Sequence, residues 1–122
     1  MDIIGIFRSA PVPKVLSETE SKISASAKNM MLALKSVKND ANAKGIKVER
    51  MYEKTESSAR KLIKNTARGD IKAALKDVKV YEKRSGKLFE NIGNPFYKAN
   101  ISVAERERLF ITTSLYKLHY KN

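Results

Sequence analysis

The chain carries 25 Lys and Arg against 13 Asp and Glu in 122 residues, a formal net charge of +12. One domain fits that length, and so cationic a surface repels itself and suits an anionic polymer or an anionic membrane. The absence of Cys excludes disulfides, Cys-ligated zinc, iron–sulfur clusters and thiol chemistry, and an Ala-rich apolar fraction without Trp predicts a thin core that assembly with other chains would support.

Residues 1–16 read as an extended N-terminal arm, because Pro11 and Pro13 prevent a regular helix. Its tip holds Ile3, Ile4, Ile6 and Phe7, a small apolar plug. Such a plug can pack on its own bundle, dock into a neighbouring subunit, or insert shallowly into a bilayer. Asp2 stands where a signal peptide wants a base, and no apolar run approaches the roughly 18 residues of a membrane span. The expectation is a chain that is not secreted, intracellular or within a virion, and without a transmembrane segment.

Ser17-Glu18-Thr19-Glu20 has the pattern of a capping box and predicts a helix start. The apolar seam then runs Ile23, Ala27, Met30, Leu34, Val37, Ala41, in alternating steps of four and three. It resumes through Val48, Tyr52, Thr55, Ala59, Leu62 and Thr66, with one extra step of four at Gly45. A single helix of about 75 Å over 17–68 could absorb that stutter. Alternatively the chain breaks at Ala43-Lys44-Gly45 into two helices, which favours a small bundle that buries the seam. Gly69-Asp70 predicts a left-handed cap followed by an N-cap. The next seam holds Ile71, Ala74, Leu75, Val78, Tyr81, Leu88, Phe89 and Ile92, and Gly93-Asn94-Pro95 ends it. The basic helical unit thus spans 17–92 and a connector spans 93–101. Ser102 and Glu105 predict a second capping box, opening a helix over 102–122 whose apolar residues are Val103, Leu109, Phe110, Thr113, Tyr116 and Tyr120. The fold class is all-α: three to four amphipathic helices in an elongated bundle or hairpin. Leu34, Val48, Leu62, Leu75 and Val78 are the expected interior.

Catalytic chemistry finds little to work with. His119 is the only His and has no partners at metal-ligand spacing. Glu49, Glu53 and Glu56 share one helix flank and read as ion-pair partners for Lys and Arg. The five Gly are scattered, so no phosphate loop is present. The chain is expected not to be an enzyme and to need no cofactor, metal or small-molecule substrate.

The positive charge, by contrast, is patterned. Lys47, Arg50, Lys54, Lys61, Lys64 and Arg68 fall on one helical face, and Lys72, Lys76, Lys79 and Lys83, continued by Lys87, fall on another. These are the candidate contacts to nucleic acid or another anionic surface. Lys outnumbers Arg, which suits point-charge contacts to phosphates rather than bidentate reading of bases. Tyr52, Tyr81 and Tyr97 could stack on bases, although core packing accounts for the first two more simply.

Met1-Asp2-Ile3-Ile4-Gly5-Ile6-Phe7, followed by basic helices with a Gly-containing turn at Ala67-Arg68-Gly69-Asp70-Ile71-Lys72-Ala73-Ala74, resembles the N-terminal half of ESCRT-III proteins over about residues 1–90. The resemblance implies an apolar membrane-directed tip, a long basic hairpin and membrane-remodelling polymers. The chain departs from that family in a longer stretch before the turn, in the break at Gly93-Asn94-Pro95, and in lacking an acidic C-terminal region. Read from its residues, the chain is expected to be a structural or assembly protein of a virion or nucleoprotein. It would associate with itself or other subunits and meet nucleic acid through Lys-rich faces. A membrane-binding polymer and an adaptor for an acidic protein are the alternatives.

Overall fold

Four helices make up a computed structural model of the chain, which describes residues 17–93 and 98–121. They are α1 (Glu18–Ala43), α2 (Glu49–Ala67), α3 (Ile71–Ile92) and α4 (Lys98–Lys121). The arm expected over 1–16, with Ile3, Ile4, Ile6 and Phe7, lies outside the described residues.

The helix ends follow from local chemistry. The Ser17 hydroxyl accepts from the Glu20 amide at 3.1 Å, and the Glu20 carboxylate accepts from the Ser17 amide at 3.0 Å. This reciprocal pair satisfies two donors that the first turn of α1 would otherwise leave open. The chain breaks at Gly45 rather than continuing as one rod. Gly45 takes φ +79°, its amide donates to the Asn42 carbonyl at 3.0 Å, and the Ile46 amide reaches back to Ala41 at 2.9 Å. Gly69 repeats the arrangement, with its own amide on Thr66 and that of Asp70 on Asn65. Both are Schellman turns, in which left-handed backbone lets two amides cap the last carbonyls. Asp70 then caps α3, its carboxylate accepting from the Ala73 amide at 3.1 Å. The long hairpin implied by the ESCRT-III resemblance is therefore replaced by shorter helices folded back on one another.

An Ala at position 45 would meet no atom within 4 Å, so Gly45→Ala isolates the backbone term. Left-handed backbone costs an L-residue roughly 1–2 kcal/mol. We expect a loss of that size in unfolding free energy, read as a lower urea midpoint at unchanged m; an unchanged midpoint would show that the turn does not depend on left-handed geometry.

Each helix is antiparallel to its neighbours in a closed ring. α1 lies beside α2 and α4, and α3 completes the square between α2 and α4. Contacts that run in opposite directions along the chain fix the registers. Ser26 meets Glu107 while Asp40 meets Asn100 across α1 and α4, and Lys54 meets Arg84 while Asn65 meets Asp77 across α2 and α3. The predicted seams of α1 and α2 are buried throughout, and in α3 only Ile71 and Phe89 are part-exposed. Among the interior are many small residues: Ala27, Ala33, Ala41, Ala59, Ala74 and Ala104, with Ser26, Thr55, Ser58, Thr66, Ser85 and Ser114. Several of the hydroxyls return to backbone carbonyls one turn back, as Thr55 does to Met51 at 2.8 Å.

The last helix departs from expectation in two ways. It begins at Lys98 rather than Ser102, so Ser102 lies inside it and Glu105 bonds to Arg108 instead of capping. Packing explains the extension: Ile101 lies against the core and the Asn100 amide donates to Asp40 of α1 at 3.2 Å. The buried side of α4 is also only partly the one expected: Val103 and Tyr116 pack against the core, but Leu109, Phe110, Thr113 and Tyr120 do not. Ala104, Ile111 and Leu115 face the core, with Ile101 and Leu118 part-buried alongside, whereas Leu109, Phe110 and Tyr120 are exposed at 59%, 42% and 77%. The inward seam carries Arg108 among its apolar members. That part-buried guanidinium is held by Glu105 at 3.1 Å and by Glu82 of α3 at 3.5 Å, which offsets its partial desolvation.

Candidate polyanion interface

The α2–α3 pair turns its outer surface into a cationic face. On α2, Arg50, Lys54, Lys61 and Lys64 are all exposed, with Lys47 exposed in the turn just before it and Arg68 exposed just after it. On α3, Lys72, Lys76, Lys79 and Lys83 are exposed too. Two contacts set how these rows meet. The Arg84 guanidinium donates to the Lys54 carbonyl at 2.9 Å, and the Asn65 amide donates to the Asp77 carboxylate at 2.6 Å. At 100° per residue, Lys54 and Lys61 therefore flank the seam on one side, and Lys76 and Lys83 on the other. Lys64 leans toward α1, and Lys72 and Lys79 lean toward α4. The row from Arg50 to Arg68 is about 27 Å long at 1.5 Å per residue.

At one end of this face the helices leave a groove of about 560 Å³, lined by Arg50, Met51, Lys54, Val80, Lys83, Arg84 and Lys87. Two of its residues, Met51 and Val80, are apolar and 36% and 41% exposed. Sequence spacing selects Arg50, Lys54 and Lys83 for this place. It passes over Arg84, which falls one residue off the Lys72–Lys87 series, and gives no reason to single out Met51 or Val80. Their meeting depends on the antiparallel register of two helices.

Charge of the other sign is sparse here rather than absent: exposed Glu90 lies on the Lys72–Lys83 face of α3, and Asp77 sits in the α2–α3 seam. Glu49, Glu53 and Glu56 lie on the flank of α2 toward α1, where Glu56 pairs with Arg60 at 3.2 Å and accepts from the Tyr52 hydroxyl at 2.7 Å. Among the described residues, no carboxylate pairs with any of the cations on the outer α2–α3 face. Unmatched, they carry a field that several phosphates could neutralise together.

Neither core tyrosine can stack on a base. Tyr52 is 6% exposed, and its burial, reinforced by the hydrogen bond to Glu56, pushes its pKa up to about 12. Tyr81 is fully buried, and that burial, with the Glu105 charge next, also raises its pKa. Tyr97 lies outside the described residues.

No family model, curated protein or solved structure matches this chain. The surface must therefore be read from its own chemistry. His119 is exposed and sits edge-on to Tyr120 with ring centroids 5.2 Å apart. Among the described residues, no group of His, Asp and Glu is placed to hold a metal ion, and no helix is long and apolar enough to cross a membrane. What the face offers is an array of flexible ammonium groups and a few guanidinium groups on a rigid helical pair. Such an array neutralises a charged backbone but cannot distinguish bases in a duplex.

Proposed function

We propose that this is a non-enzymatic structural protein of a virion or nucleoprotein, which binds nucleic acid through the outer α2–α3 face without base specificity and assembles with copies of itself or other subunits. One observation carries the reading: a face of Lys and Arg about 27 Å long, with none of its cations ion-paired among the described residues. An ordinary solvated helix surface pairs many of its Lys and Arg with carboxylates three or four residues away, and this face leaves them unpaired. Lys-rich contacts favour phosphates as partners.

The test is binding to a random-sequence duplex and to anionic vesicles in parallel across a salt series. We expect duplex affinity that is independent of sequence and falls by about 10³ or more between roughly 50 and 200 mM salt if six or more phosphates are engaged. Vesicle binding that persists at the upper salt limit, with no duplex bound, would replace this reading with a membrane-associated polymer. Binding to neither would leave an adaptor for an acidic protein.

A further inference from the structure

We infer that the groove between α2 and α3 receives unstacked bases, so that the preferred ligand of the cationic face is single-stranded nucleic acid rather than a duplex. This rests on the polyanion reading and narrows it.

The argument begins with the floor of the groove. Phosphate neutralisation alone needs cations and water, not exposed hydrocarbon. Yet Met51 and Val80 stand 36% and 41% exposed in a groove otherwise lined by Arg50, Lys54, Lys83, Arg84 and Lys87. In a duplex the bases are stacked inward, and a convex helical pair meets only sugar and phosphate. The apolar floor then stays wet and contributes nothing. A single strand is different. Its bases have free faces, and burying such a face against an apolar or planar surface contributes affinity regardless of sequence. The thioether of Met51 is polarizable and favours aromatic neighbours.

The rim is arranged for the same ligand. Arg50 and Lys54 on α2 face Lys83 and Lys87 on α3 across the floor. A strand with its bases turned in would place its phosphates against either rim. Arg84 is the fixed element. Its hydrogen bond to the Lys54 carbonyl at 2.9 Å orients a guanidinium plane at the groove wall, and such a plane can stack on a base. Beyond the groove, Lys61, Arg68 and Lys76 continue the cationic row. The ligand is therefore longer than the groove itself, within the range of about 4–16 nucleotides that a small single-strand-binding fold covers. An anionic bilayer would meet the same row with many headgroups, so the vesicle arm of the experiment separates it from a strand.

The experiment compares fluorescence anisotropy of a ~16-nucleotide labelled single strand with its blunt duplex, using the full chain and the variants Met51→Ser with Val80→Ser. Both side chains are partly exposed, and thermal unfolding checks that the fold is kept. Val80→Thr, which keeps the shape and alters only the polarity, is the second variant. We expect the single strand to bind more tightly than the duplex. The double Ser variant should lose on the order of tenfold in single-strand affinity, with duplex affinity and both salt slopes unchanged, and Val80→Thr should lose a smaller part in the same direction. Equal affinity for strand and duplex, or equal losses for both in the variants, would overturn the inference and leave the polyanion reading intact. Binding to neither at low salt would overturn both. Vesicle binding that depends on Met51 and Val80, without strand binding, would assign the groove to lipid and also overturn it.

Discussion

Replacing Lys54 and Lys83 together by Glu should lower affinity for nucleic acid roughly 50-fold at about 0.1 M salt and flatten the salt dependence by close to two contacts. Each phosphate contact contributes a factor of about the inverse salt concentration to the power 0.9, so two lost contacts account for that magnitude before any repulsion from the new carboxylates is added. Lys54 and Lys83 are suited to the test because they face each other across the α2–α3 groove and neither forms an ion pair among the described residues. The control is Arg106→Glu with Lys117→Glu. Both residues are exposed on α4, on the opposite side of the ring, and the pair alters net charge by the same amount. If affinity follows the local face, the control retains most of it and nearly all of the slope. Equal losses in the two pairs, measured by titration at several salt concentrations, would show that net charge alone attracts the ligand and that the α2–α3 face is not a site.

The largest effect on stability is expected from Leu62→Ala. Leu62 is fully buried on α2, in a core whose large side chains are few. Truncating a buried Leu costs about 2–5 kcal/mol, the upper part of that range when the neighbours cannot collapse into the gap. Helices held on both sides by antiparallel partners have little freedom to do so. A loss of about 3 kcal/mol is a large part of the 5–15 kcal/mol that a domain possesses, and at this chain length it corresponds to a Tm lower by about 10–20 °C. The same substitution at Leu109, 59% exposed on α4, should fall within about 0.5 kcal/mol of the parent. Thermal unfolding of the two variants thus measures which face of α4 is covered. If Leu109→Ala costs as much as Leu62→Ala, the outer face of α4 is not open to solvent.

That comparison bears on what could be read from the sequence. The seams of α1 and α2, and most of that of α3, were legible because their apolar residues form one continuous row each, and because Ser17 with Glu20, Gly69 with Asp70, and Gly93 punctuate them with clear caps, whereas Gly45 was compatible with a stutter as well as a break. In α4 the pattern is ambiguous by construction. Its outer face holds Leu109, Phe110 and Tyr120, bulkier than Ala104 on the inner one, and the inner row is interrupted by Arg108. The tie is decided elsewhere in the chain: Glu82 on α3 supplies the carboxylate that lets Arg108 turn inward, and Asp40 on α1 anchors Asn100. The local period was present, since Ile101, Ala104, Arg108, Ile111, Leu115 and Leu118 alternate steps of three and four, but the charge at Arg108 and the bulkier outer residues masked it. The candidate site divides in the same way. The Lys and Arg rows follow from spacing along single helices, whereas the groove, with Arg84, Met51 and Val80, exists only once two helices are set in register.

The abundance of Ala, Ser and Thr in the interior has a thermal consequence. Exposing apolar surface on unfolding raises the heat capacity by about 0.45 cal/mol/K per Å², while exposing polar surface lowers it by about 0.26. A core that substitutes hydroxyls such as those of Thr55, Ser58, Thr66 and Ser85 for aliphatic carbon lowers the first contribution and raises the second. The free energy of unfolding then curves gently with temperature. Such a bundle exchanges a high summit of stability for a wide plateau, and its folded population changes little over a broad range of working temperatures.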